Sequence, residues 1–175
     1  MKKAFIFVLV CMLTVFVADG SSQTRRRSPA RRAATATKAA AEKTAADLKT
    51  GAAQVAAQIK TLTHFTYLLG GVVKGIDAVD QAVGKNEASP AAREQNERNK
   101  ARVRDSIRSV REGLDKLESD FRLHPTLRNY YQYLNGVARA AEAAENQTAA
   151  NRFDEAGRTL LKVIDQLADA LAAMR

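Results

Sequence analysis

"FDEAGRTLLKVIDQLADALAAM", residues 153–174, decides the fold. Phe153, Gly157, Leu160, Ile164, Leu167, Leu171 and Met174 recur at spacings that alternate between four and three. A strand would bring every second residue to one face, whereas this spacing draws a narrow apolar stripe along a helix. Such stripes suit helices packed nearly parallel or antiparallel with a left-handed twist. The pattern extends outward from here. Val103, Ile107, Val110, Leu114, Leu117 and Phe121 repeat it, and Leu127, Tyr130, Leu134, Val137, Ala141 and Ala144 form a third stripe. A fourth runs through Leu48, Ala52, Val55, Ile59, Leu62, Thr66 and Leu69 and continues in register to Val73, Ile76 and Val83. The chain contains 33 alanines and no tryptophan. Alanine loses no side-chain entropy in a helix, so composition and periodicity agree on an all-α fold.

The stripes are separated by residues that end or begin helices for chemical reasons. Gly84 can close a helix in the left-handed conformation, and Ser89 followed by Pro90 offers an N-cap and a first helical residue that needs no N–H. Pro125 disfavours helix at His124, ending one helix and opening the next. In "ENQTAAN", residues 145–151, Thr148 or Asn151 is expected to cap the last helix. Gly70 and Gly71 leave two readings of the first segment, one long helix over 37–84 that is kinked there or two helices; the register across them favours a kinked or briefly broken helix. In "PAAREQNERNKAR", residues 90–102, Arg93, Asn96 and Lys100 hold the stripe positions, so this part of the helix is expected to face solvent or to project beyond the bundle. Short connections make neighbouring helices antiparallel. The expected fold is all-α: an up-and-down antiparallel bundle of four or five helices with coiled-coil-like seams, over residues 38–175.

Residues 1–20 have the parts of a secretory signal: Lys2 and Lys3, an apolar run from Ala4 to Ala18, and Ala18 and Gly20 as the small residues before a cut. The run of 15 residues is short of the ~20 that a membrane-spanning helix needs. Residues 21–37 are expected to be a disordered arm, since Ser, Thr, Pro, Ala and Arg without large apolar residues build no core. The arm holds Arg25, Arg26, Arg27, Arg31 and Arg32. An uncleaved signal anchor is the competing topology, in which those arginines would keep the body in the cytoplasm. Cys11 lies inside the apolar run, so a cleaved chain has no thiol.

The formal charge of +9 changes meaning once it is divided along the chain. Residues 21–38 carry six basic side chains and no acidic one, and from residue 39 onward 20 basic residues face 18 acidic ones. A nucleic-acid-binding domain would more often spread positive charge over a folded face. The five arginines are therefore the candidate polyanion site, for anionic lipid headgroups or acidic polymers, with nucleic acid the less favoured partner.

No GxSxG, HExxH, P-loop or GxGxxG motif is present, and an enzyme is not expected. His64 and His124 lack metal-ligand spacing, although Asp120 and His124 are four apart. No CxxCH motif attaches haem, and a non-covalent haem on His64, His124 or Met174 is a minor reading; no cofactor or metal is expected. Tyr130, Tyr131 and Tyr133 cannot all face one core, because adjacent helical residues point about 100° apart. They are the candidate interface for a protein partner or self-association. The reading is a non-enzymatic exported bundle, periplasmic or secreted after cleavage near Gly20, with a binding, scaffolding or envelope-associated role. The alternatives are a cytoplasmic or membrane-anchored polyanion-binding accessory protein working through its arm, and a cofactor-carrying bundle.

Overall fold

The structure is a computed structural model that describes residues 29–175, with side chains described from residue 37. Among the described residues it is all-helical, with four long helices packed against each other. They are α1 (Pro29–Gly84), α2 (Pro90–Leu123), α4 (Val137–Ala149) and α5 (Phe153–Ala173). A 3-10 turn (Arg128–Tyr130) and the one-turn α3 (Tyr131–Leu134) link α2 to α4.

Contacts down each pair run in opposite directions. Along α1 and α2, Asp80 meets Lys100, Gln58 lies beside Gly113, and Asp47 reaches Thr126 just past the end of α2. Along α1 and α5, Leu69 lies beside Gly157 and Gly51 beside Met174. Along α2 and α4, Arg111 meets Glu145 and Glu118 meets Ala138. The four helices thus close a ring in the order α1, α2, α4, α5, each antiparallel to its neighbours. The expected signal at residues 1–20 lies outside the described residues. Helix α1 begins at Pro29, within the stretch 21–37 expected as a disordered arm.

The core contains the stripes read from the sequence, with Val55, Leu62, Leu69, Ile107, Leu114, Phe121, Leu134, Val137, Leu160 and Leu167 all buried. One stripe is rotated. In α5 the buried column beside Phe153, Leu160 and Leu167 is Ala156, Val163 and Ala170, whereas Ile164, Leu171 and Met174 are only partly buried and Gly157 is half-buried. The helix packs against both α1 and α4, so its inward arc is wider than one stripe. Two of the three added positions are alanines, which hydropathy alone ranks below the larger residues beside them.

Helix α1 runs unbroken through Gly70 and Gly71, so it is one long helix and the reading as two helices does not hold. Gly84 does not close it in the left-handed region; that role falls to Asn86, at φ 58°. The same device ends α4, where Asn151 has φ 59° and the Arg152 N–H donates to the Gln147 carbonyl at 2.8 Å. Asparagine tolerates this region better than most residues. Neither Thr148 nor Asn151 caps α5, whose N-cap is Arg152 without a side-chain bond; Thr148 is buried in α4 and donates to the Glu145 carbonyl at 2.7 Å. The Ser89 cap forms as expected, its hydroxyl accepting the Ala92 N–H at 3.2 Å. The third stripe keeps its sequence spacing but not one helix, because Gly136 at φ 94° turns the chain between α3 and α4. Glu118 of α2 supplies the missing cap, accepting the Gly136 and Ala138 N–H groups at 3.3 and 3.1 Å.

The polar start of α2 is not fully solvent-facing. Asn96 and Lys100 are 3% and 7% exposed. Both meet Asp80 of α1, whose Oδ1 accepts from Asn96 Nδ2 at 2.7 Å and from Lys100 Nζ at 2.8 Å. Glu97 adds a second carboxylate at 3.0 Å, and these two partners outweigh desolvation to hold the Lys100 ammonium above its ordinary pKa. Two of the three stripe positions are therefore inward while Arg93 stays exposed, and a partly exposed ionic cluster around the buried Lys100 stands where the sequence predicts a solvent-facing segment.

Candidate helix-docking groove

Beside its buried stripe, α1 carries a second one, Thr61, Phe65, Leu68, Val72, Gly75 and Val79, at the same alternating spacing. It is turned about 100° from the first, which brings it to the flank of α2 rather than into the core. Leu68 is 55% and Val72 40% exposed, and Tyr67 next to them is 80% exposed. Phe65, Leu68, Leu69, Val72 and Gly75 form one wall of a groove of about 390 Å³, and Asn99, Arg102, Val103 and Ser106 of α2 form the other. A shallower depression lined by Lys60, Thr61, His64, Phe65 and Leu68 continues it along α1. From Lys60 to Gly75 the combined surface follows the helix axis for about 22 Å, at 1.5 Å per residue.

Glycines mark the same stretch. A Cβ built at Gly70, Gly71 or Gly75 meets nothing within 4 Å. Each glycine costs roughly 1 kcal/mol against alanine in a helix interior. Crowding within the chain does not require them, in contrast to Gly51, where a Cβ would lie 2.7 Å from Leu127 Cδ2.

The charges around the groove are of one sign. Lys60 and Arg102 line it, and among the described residues neither is in an ion pair and no carboxylate lines either depression. Farther along α2, Arg108 and Arg111 meet Glu145 of α4 at 3.1 and 2.6 Å. The Arg108 hydrogen bond, with help from Arg111, holds the Glu145 carboxyl below its ordinary value near 4.5. A depressed folded pKa contributes stability that is present above the unfolded value and lost as pH falls through the folded one. Glu145→Gln is therefore expected to lower Tm by roughly 2–4 °C at pH 7, with the gap closing below pH 4. Thermal melts of both proteins from pH 7 to pH 3 check this, and a gap constant with pH would count against the pairing.

Of the residues singled out by sequence, those whose side chains are described lie in separate surroundings. Arg25, Arg26 and Arg27 lie outside the described residues; Arg31 and Arg32 fall on the first turns of α1, where only the backbone is described. Tyr130 packs on the core, the Tyr131 hydroxyl lies 3.3 Å from Asn135 Oδ1 and 3.5 Å from Glu118 Oε1, and Tyr133 is 39% exposed. Three neighbouring tyrosines thus have three different environments rather than one face. His64 is exposed on α1, whereas His124 ends α2 with Nε2 3.9 Å from Asp47, and Met174 packs near Gly51. His124 and Asp120 line one cleft, yet the histidine side chain is oriented toward Asp47 of α1. The second stripe on α1 was legible in the sequence, since Phe65, Leu68 and Val72 sit one position from the first; the stronger stripe masked it.

Among the described residues no helix is long and apolar enough to cross a membrane, and no group of three or more His, Cys, Asp or Glu residues is placed to hold a metal ion. Comparison with known proteins gave no match to a family model, a curated protein or a solved structure.

Proposed function

We propose that this protein is a non-enzymatic binding or scaffolding bundle that docks a partner helix in the groove between α1 and α2. The observation that carries the reading is the second apolar stripe on α1, which has heptad-like spacing and, among the described residues, no covering element over Leu68 and Val72. Exposed apolar surface of this kind, rimmed by polar residues, is a mark of interaction sites. Its spacing matches what a helix seated lengthwise would present. The signal-like residues 1–20 support export, so the docking would take place in the periplasm or outside the cell.

A synthetic 21-residue helix with leucines at heptad spacing and glutamines flanking them is the probe. Fluorescence anisotropy is expected to show saturable binding, weakened at least about tenfold by Leu68→Ser with Val72→Ser, at a Tm within about 3 °C of the parent. Absence of binding would overturn the docking reading. N-terminal sequencing of the mature protein tests export separately: a start at Ser21 supports it, and an intact Met1 overturns it.

A further inference from the structure

We infer that the groove's partner is an acidic amphipathic helix of another protein. This rests on the docking reading above and adds the partner's charge. The floor is apolar, with Phe65, Leu68 and Val72 on α1, and the two charged groups that line it, Lys60 and Arg102, are cations with no ion-pair partner among the described residues. An occupant with Asp or Glu beside its own apolar stripe would neutralise both exposed cations and, once seated, cover them in part, so that Coulomb attraction is less screened than in open water.

Other occupants meet the same charges less well. A second copy seated stripe to stripe would bring Lys60 and Arg102 against their own kind, and the chain's residues 21–38 are themselves basic without an acidic residue. An anionic lipid surface satisfies the cations but not the shape. A narrow stripe of alternating three and four spacing beside a helix wall selects a rod, and glycine at position 75 lets that rod approach the α1 backbone.

Three monomeric peptides with one leucine stripe and flanks of Glu, Gln or Lys separate these outcomes. At 50 mM salt the Glu peptide is expected to bind about tenfold or more tighter than the Lys peptide, the difference shrinking severalfold at 0.5 M salt. Lys60→Glu with Arg102→Glu, both at exposed positions, should invert the order at unchanged helicity. Equal affinity for all three peptides, or preference for Lys, overturns the acidic partner while leaving the docking reading standing; no binding by any peptide overturns both. Flotation with phosphatidylglycerol vesicles that is lost in Leu68→Ser, without discrimination among the peptides, would assign the groove to lipid and overturn the inference. A concentration-dependent dimer in sedimentation that Leu68→Ser dissolves would do the same in favour of a second copy.

Discussion

Replacing Leu160 by Asp is expected to unfold the bundle at neutral pH. Leu160 is fully buried near the middle of α5, where the helix contacts both α1 and α4. The substitution removes a large apolar side chain and puts a carboxylate where the neighbouring side chains are apolar, each effect worth several kcal/mol. Together they exceed about 4 kcal/mol, a large share of the 5–15 kcal/mol that holds an ordinary domain. Leu161 is the control: half exposed on the same turn, it should tolerate Asp at a cost near 0.5 kcal/mol or less. Circular dichroism and urea titration of the two variants read the register of α5 directly. Equal losses from both would show that the inward face has been misplaced.

The second large effect has the opposite sign. Converting Gly70, Gly71 and Gly75 to Ala is expected to stabilise the protein by about 2–3 kcal/mol, from the helix propensity of three interior positions. A methyl group meets no neighbour at any of them, so no clash offsets the gain. The increase appears as a higher urea midpoint at unchanged slope. If the groove seats a helix at close range, the same variant should bind the acidic probe peptide more weakly. A stability gain coupled to weaker binding would explain why these glycines stand in an otherwise alanine-rich helix. No gain in midpoint would mean that the propensity argument fails at this helix.

The main seams were legible because apolar periodicity and helix-breaking residues are local signals that packing then confirms. Leu62, Leu69, Ile107, Leu114, Phe121 and Leu160 follow from spacing alone. What escaped depended on partners distant in sequence. Lys100 reads as a surface residue until Asp80, twenty positions earlier, is placed beside it. Glu118 reads as one more exposed carboxylate until the α4 N-terminus arrives from eighteen positions later. Asn135–Gly136 is a turn signal in plain view, but an unbroken apolar rhythm from Leu134 to Val137 concealed it. Polar caps and buried charges are matters of meeting, and a linear pattern does not contain the meeting.

Residues 37–46 of α1 are exposed on every side, and the first half-buried positions are Asp47 and Leu48. From Pro29 to Asp47 the backbone is nevertheless one helix, about 27 Å long at its usual rise. It works as a mast. Whatever holds the chain at its front end, a lipid surface or another molecule met by the arginines, would be kept that far from the four-helix body. A docked partner in the groove would then sit outward of the anchoring point rather than against it, and shortening the mast by two turns would draw the two closer by about 11 Å without touching either contact.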